Sequence, residues 1–457
     1  MSNATTPQKL NRTLGALSAL FIVLSAVTPA SSVFIILPIV IAMAGTGSLL
    51  TMLIAAVIGL FMAFVYAELS SAYPTAGGEY TMIGSTLGKL WGFITMFVVL
   101  ITIILIIAII AMGIGTYLGV IGVNIDPRIL GVIGIAAACL IGVLGIKSNA
   151  MITGIFLAIE LLACILLVVL GFANYTNPIG SLLSNPQMLD AATNALSPAP
   201  WGAILAATAV GLFAYNGYGA AAYFGEETVD AKKNIGRIVV YALIITVIAE
   251  ALPLLAVLVG SPDLAALLAA PQKIEYFLEA RGGHTLTVIV SLAIAVAIFN
   301  AVIAILLQGA RLLYASARDN TWFGGLNEAA GRLHPKYQSP MIATIIVAVL
   351  AAAACFIDMG LLFVVTGTSL IVVYALLCIA VIVGRSNGTT SHGAYRMPGF
   401  PIPAIIALLA LVYIAYQNLL DPALGRPSLV ATAIMMIVAA IYYFVALTNK
   451  KDWMTSK

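Results

Sequence analysis

Leu24-Ser25-Ala26-Val27-Thr28-Pro29-Ala30-Ser31-Ser32-Val33-Phe34 decides how the chain reads, because it sets a threonine, a proline and a serine pair inside an otherwise apolar run. That run extends from about Leu14 to Ala44, too long for the hydrophobic region of a cleaved signal peptide and long enough to cross a bilayer. It reads as a retained first span. Pro29 has no backbone N–H and crowds the carbonyl four residues earlier, so a helix here kinks or opens and leaves polar backbone groups without partners. Irregular backbone at membrane depth is tolerated only inside the protein or beside a watery cavity, which makes this break a candidate binding site. The plain alternative is a simple proline kink.

The surrounding composition fixes the class. Of the 457 residues, 62% are hydrophobic and 8% charged, against roughly 25% charged in an ordinary soluble domain. This is the composition of a polytopic membrane protein with room for about a dozen helices of about 20 residues and no sizeable soluble domain. After the first span, apolar runs follow at about 48–70, 92–121, 129–145, 150–172, 201–224, 236–260, 285–315, 340–357, 360–384, 402–419 and 428–447. The expected architecture is therefore an all-α membrane protein with twelve transmembrane helices in one membrane domain. The four cysteines, Cys139, Cys164, Cys355 and Cys378, lie within apolar runs at no paired spacing and read as small core residues. No metal site and no cofactor is expected.

Charge orients the spans. With twelve crossings both termini share one side, and of the 20 Lys and Arg residues only Arg128, Lys273, Arg281 and Arg426 fall on the other, leaving sixteen with the termini. The positive-inside rule then places both termini in the cytoplasm of a multi-pass plasma (inner) membrane protein. Ala67 to Tyr80, with Pro74 and the pair Gly77-Gly78, reads as a tight non-helical connection on that face. Tyr175 to Pro200, which has no Lys or Arg, reads as an outer loop.

The sixth span repeats the oddity of the first. Gly211-Leu-Phe-Ala-Tyr-Asn-Gly-Tyr-Gly219 puts three glycines and Asn216 in a segment that is otherwise a clean helix, and each glycine weakens a helix by about 1 kcal/mol relative to alanine. Close helix packing is the alternative use of such glycines. If spans one to five and six to ten are two repeats, the breaks correspond, which is the pointer to an inverted-repeat transporter with its site at the repeat interface.

Three further stretches carry a family resemblance: Ala67 to Tyr80, Gly225-Glu226-Glu227-Thr228, and Arg311-Leu-Leu-Tyr-Ala-Ser-Ala-Arg-Asp-Asn320 leading to His334-Pro335-Lys336 and Ser339-Pro340. In this order and at these span ends, the chain resembles the amino acid–polyamine–organocation (APC) transporters over most of its length. The resemblance implies a leucine-transporter-type fold: a 5+5 inverted repeat plus two C-terminal helices, working by alternating access around broken helices one and six. The parts are then a cytoplasmic N-terminus at 1–13, a first repeat at 14–172, a second at 201–384, helices eleven and twelve at 402–447, and a cytoplasmic tail at 448–457. In many relatives the first break carries Gly-Ser-Gly, whose bare amides bind the substrate carboxylate; matched to Val33-Phe34, those positions are Ala30, Ser31 and Ser32. The serine is kept and both glycines are replaced. Putrescine-importing relatives look similar at Thr28-Pro29 but have an aspartate where this chain has Gly219. Without it a buried amine would lack a counter-charge, which argues against a polyamine.

Two acidic residues fall well inside apolar spans, Glu160 in the fifth and Glu250 in the seventh. An ionised group at a helix centre costs on the order of 3 kcal/mol on insertion scales, so such residues face the bundle interior and often carry a proton. By the resemblance, Glu160 falls where several proton-coupled relatives have a lysine in the space of a sodium ion. The alternative is a protonated glutamic acid bonded to a neighbouring helix. Glu226 and Glu227 are candidates for a gate with Arg or Lys, or else solvated helix-end charges, and Asn300 and Gln308 in span eight need partners on other helices.

The candidate substrate-binding residues are thus Ser25, Thr28, Ala30, Ser31 and Ser32 in the first break and Phe213, Ala214, Tyr215, Asn216 and Gly219 in the second, with Glu160 and Glu250 as candidate proton carriers. The function expected is a proton-coupled secondary transporter (symport) of a small amino acid or related amine, its partners being that substrate, protons and the lipid bilayer, with no nucleic acid. Alternatives are a polyamine or amino-alcohol carrier or exchanger and, from another class, a passive channel, which would need a ring of charges or carbonyls from a symmetric oligomer. An intramembrane enzyme would need a nucleophile–base pair or metal cluster within the spans. The three histidines lie in loops or at span ends, and no His-Glu-x-x-His motif occurs.

Overall fold

Helices in lipid are apolar nearly all round, so breakers and polar residues, rather than amphipathic period, decide where each begins and ends. The computed structural model describes residues 10–119, 122–190, 193, 195–448, 450 and 453; most of the expected tail at 448–457 and of the N-terminal segment at 1–13 lies outside them. α1 (Ala16–Val27) stops at Thr28, and α2 (Pro29–Ser31) restarts the helix and runs through a π turn, Ser32–Ile36, into α3 (Leu37–Ala44). A 3-10 turn at Gly45–Gly47 leads into α4 (Ser48–Ala72), followed by the short α5 (Glu79–Leu87), α6 (Lys89–Gly119), α7 (Pro127–Gly142) and α8 (Ile146–Ala173). The short α9 (Ile179–Ser184) and an antiparallel pair, β1 (Gln187–Leu189) and β2 (Leu196–Pro198), come before α10 (Trp201–Ala214).

After a 3-10 segment at Tyr218–Phe224 come α11 (Ala231–Gly260), the short α12 (Leu264–Ala269), the long α13 (Lys273–Arg318) and the short α14 (Gly324–Ala330). α15 (Met341–Ala354), α16 (Met359–Thr366), α17 (Ser369–Ser386), α18 (Ile402–Leu420) and α19 (Gly425–Tyr442) complete the chain. Among the described residues, nine helical stretches are long and apolar enough to cross a membrane. The first of them, Ala16–Ala72, is 57 residues long, and α7 and α15 are apolar but shorter. The chain is a multi-pass membrane protein, all-helical among the described residues apart from one hairpin.

α1 and the 3-10 segment lie at the centre, against α8, α11 and α13. In the most apolar stretch of α13, 67% of residues are buried, against 17% for the stretch that includes α19, so α19 is peripheral. Its apolar side chains, such as Ile437 and Ile441, point away from the bundle, where lipid tails are as apolar as they are.

Three connections differ from the sequence reading. The stretch 175–200 is not a plain loop: Gln187 donates its N–H to Thr46 Oγ1 at 2.8 Å, which ties the hairpin to the Gly45–Gly47 turn. Ala67 to Tyr80 is non-helical only over 73–78. α4 runs on past Glu68 because that side chain is buried and held by Arg385 at 2.7 Å and by the N–H of Met397 at 2.9 Å. The tenth apolar run is two helices, α16 and α17, parted at Gly367 and Thr368.

The end of the bundle that carries most of the basic residues is closed by ion pairs. Glu227 and Arg311 are about 2% and 1% exposed and meet in a two-pronged contact, Arg311 Nη2 donating to Glu227 Oε1 at 2.8 Å and Nε to the other oxygen. Arg311 also lies over the Phe224 ring, 4.7 Å from its centroid. The extended chain before α1 bonds to the same place, Leu14 donating to Glu227 O at 2.8 Å and accepting from the Val229 N–H at 2.9 Å. Glu226 pairs with Arg318 at 2.6 Å and accepts the Ala76 N–H at 3.1 Å. Both glutamates are paired rather than solvated, Glu227 buried and Glu226 largely so.

Removing one member of a buried pair strands the other charge, at a cost of roughly 3–5 kcal/mol, whereas replacing both costs far less. Thermal melts of the detergent-purified protein should therefore show Arg311→Met strongly destabilised and the double variant Arg311→Met/Glu227→Gln largely restored. Equal losses in the two variants would mean that the charges are not coupled.

Candidate functional site

The first break follows from Thr28 and Pro29. Thr28 closes α1 by donating its N–H to Leu24 O at 2.9 Å, but it does so with φ 52° and ψ 69°, a left-handed turn that ends the helix. Pro29 has no N–H to offer, and Ala30 is too early in the new helix to find a carbonyl. Its N–H donates instead to Glu160 Oε1 on α8 at 2.9 Å. Thr28 Oγ1 donates to Ser31 Oγ at 2.8 Å, and the Ser32 N–H returns to Thr28 O at 3.1 Å.

The second break is built from Asn216 and Gly217. α10 ends at Ala214, and Gly217 has φ 120°, a backbone conformation that side chains disfavour. Its N–H bonds to Asn216 Oδ1 at 2.8 Å, and the Tyr374 hydroxyl donates to the same oxygen. The two breaks touch. Ser32 Oγ donates to Ala214 O at 3.1 Å, and a Cβ built on Gly217 would stand 2.8 Å from Val27 Cα.

Around this contact lie the remaining candidates. Ser25 Oγ donates to Thr153 O at 3.2 Å and accepts from Asn300 Nδ2 at 2.9 Å, joining α1, α8 and α13. Asn300 thus binds another helix, as expected of it. Glu250 on α11 faces the Ser32 hydroxyl, but that hydroxyl is committed to Ala214, and neither Glu250 oxygen has a hydrogen-bond partner. Glu160 Oε2, Asn300 Oδ1 and the Tyr215 hydroxyl are likewise buried without partners. The structure therefore brings Ser25, Thr28, Ala30, Ser31, Ser32, Ala214, Tyr215, Asn216, Glu160 and Glu250 into one polar cluster.

Phe213 does not belong to it. Its side chain is 53% exposed, because adjacent residues of a helix point about 100° apart and Phe213 falls on the outer side when Ala214 falls on the inner. Gly219 is buried but faces an aromatic wall rather than the serines. A Cβ there would stand 2.7 Å from the Tyr66 ring, which meets Tyr218 and Tyr374 edge-on at 5.8 and 5.6 Å. Gly219 is the gap that admits Tyr66.

Glu79 was not singled out in the sequence. It opens α5, buried, and its carboxyl accepts from the Tyr66 hydroxyl at 2.8 Å and from the Tyr223 hydroxyl. Burial raises its pKa above the usual carboxylate range, and the hydrogen bond from Tyr223, its own backbone and Tyr66 lower it in part. It ties α4 to the far end of the 3-10 segment. Nothing in hydropathy marks this residue, although its place just after Gly77-Gly78, at a helix start, is a positional cue.

A family profile described as amino acid permease matches residues 14–448. The chain is 22% identical to the branched-chain amino acid permease BcaP of Bacillus subtilis, over 96% of this chain and 94% of that protein. It is 30% identical to an uncharacterized transporter of Mycobacterium tuberculosis over 77% of this chain and 76% of that one. It is also 24% identical to the serine/threonine exchanger SteT of Bacillus subtilis over 90% of this chain and 92% of that one. All three relatives are named as permeases, transporters or exchangers.

The contact between the breaks makes a test. Gly217→Ala should destabilise the protein by roughly 1–3 kcal/mol, since the new methyl meets backbone and φ is unfavourable. Gly180→Ala, where a Cβ meets nothing within 4 Å, should change stability by less than about 0.5 kcal/mol. Parallel melts of the two variants check it, and indistinguishable melts would mean that the breaks are not packed as described.

Proposed function

The chain belongs to the amino acid permease family within the APC transporters, and from that premise we propose that it carries a small neutral amino acid across the cell membrane by alternating access around its two helix breaks. The observation that carries the proposal is the Ser32–Ala214 contact, because it places two sets of interrupted backbone against each other in the middle of the bundle. Polar groups gathered at such a place serve a ligand. The relatives' names, a branched-chain permease and a serine/threonine exchanger, favour an aliphatic or hydroxy amino acid.

The finer architecture belongs to the same proposal. Twelve crossings result if the 57-residue stretch counts as two, joined at Gly45–Gly47, and the shorter α7 and α15 as one each. A 5+5 inverted repeat then relates the breaks in spans one and six, with α18 and α19 outside it. The sixteen basic residues on one side orient both termini to the cytoplasm, so that the Glu227–Arg311 closure lies on the cytoplasmic side.

Coupling to protons is favoured by Glu160 and Glu250, both fully buried and neither paired with a cation among the described residues. A polyamine is disfavoured by Gly219, since the Tyr66 ring occupies the room that an acidic side chain there would need. A passive pore is disfavoured by the closed ion pairs at the basic end.

Purified protein in liposomes should accumulate radiolabelled L-leucine, L-valine, L-serine or L-threonine under an outside-acid pH gradient. Uptake should show counterflow and be abolished by a protonophore. Absence of uptake and counterflow for all four would overturn the substrate class, and flux without counterflow would favour the channel.

A further inference from the structure

Pro29 opens a helix that continues to Ala44 through the π turn. The first turn of such a helix carries partial positive charge and unpaired amides, which suit a carboxylate. Ala30 supplies the first available N–H, and a carboxylate already holds it, that of Glu160. An amino acid would bring a second carboxylate, of like charge, to the same amide. Two carboxylates at one fully buried position cannot both remain ionised.

Among the described residues, no cation nearby compensates. α8 packs against α1, α2, α11 and α13. The groups that face Glu160 from these elements are Thr28 and the Ala30 amide, Asn300, and Glu250, which is itself acidic; Cys164 lies beside it on its own helix. None is a cation. A second observation points the same way. Among the described residues, Glu160 Oε2, both oxygens of Glu250 and Asn300 Oδ1 are buried with no hydrogen-bond partner, so the cluster is short of hydrogens. A proton added to Glu160 supplies one, for an acceptor such as Asn300 Oδ1.

We infer that Glu160 and the substrate's carboxylate take turns on the Ala30 amide, so that each amino acid bound is accompanied by one proton taken onto Glu160. This rests on the transport reading above and gives it a substrate class, a carboxylate-bearing ligand, and a stoichiometry. On binding, the substrate carboxylate accepts the Ala30 N–H, and Glu160 lets go and takes a proton from the side on which the substrate entered. On release to the other side, Glu160 gives up that proton there and closes on Ala30 again. No covalent bond other than the carboxyl O–H forms or breaks.

The sign follows. The substrate carboxylate stays ionised through the neutral range, whereas Glu160 must gain a proton for it to bind, so affinity weakens as pH rises. The slope approaches about tenfold per pH unit where Glu160 is ionised in the substrate-free protein.

The test is equilibrium binding of L-leucine, L-valine, L-serine and L-threonine to the purified full-length protein between about pH 5.5 and 8.5. Proton uptake is followed with an indicator dye in weak buffer. At the alkaline end, about one proton should be taken up per amino acid bound. L-leucinol, which lacks the carboxylate, should take up none, and Glu160→Gln should bind leucine with neither proton uptake nor pH slope. The wild-type proton count stands whether or not that variant folds. Leucine binding without proton uptake and with pH-independent affinity would overturn the exchange while leaving the transport reading intact. Failure of all four amino acids to bind would instead overturn the substrate class on which both rest.

Discussion

A peptide group that leaves a helix at membrane depth has no water to bond with, and the centre of this bundle is arranged by that requirement. The Ala30 N–H goes to Glu160, the Ala214 carbonyl takes the Ser32 hydroxyl, and Asn216 Oδ1 serves both the Gly217 N–H and Tyr374. Left unpaired, each such group costs roughly 2–7 kcal/mol depending on the reference state. That exceeds the contribution of a few buried methylenes, so side chains from α8 and α17 are recruited to the breaks. Apolar packing fills in around them.

The centre and the basic end are mechanically linked. Tyr66 touches Gly219 beside the second break and bonds to Glu79, and Glu79 holds Tyr223 at the other end of the 3-10 segment. A few residues further on, Glu227 is locked to Arg311 and to the chain before α1. Any movement that draws the 3-10 segment away from α4 must break the tyrosine bonds to Glu79. One continuous set of contacts thus joins the ion-paired end to the two breaks.

Much of this was legible in the sequence, for identifiable reasons. Proline and clustered glycines disrupt helices wherever they stand, so both breaks could be read from Thr28-Pro29 and from Gly211 to Gly219. Glu160 and Glu250 stood out because a charge in an apolar run is rare. The partners were not legible. Glu68 and Glu79 sit in a stretch whose prolines and glycines suggest a loop, and what buries them, Arg385, Tyr66 and Tyr223, is close in space rather than adjacent in the chain. In the sequence Phe213 groups with Ala214, because proximity to a break says nothing about which way a side chain points. The hairpin at Gln187–Leu189 and Leu196–Pro198 depends on its anchor at Thr46, which no local pattern in 175–200 announces.

The close fit of Gly219 and Tyr66 bears on how such a protein changes over evolutionary time. An acidic residue cannot be introduced at 219 while the ring is in place, and shrinking the ring alone opens a void beside Tyr218 and Tyr374. Either substitution by itself leaves a clash or a cavity. The two positions are therefore sterically coupled, and a larger side chain at 219 requires a change at 66 in the same step.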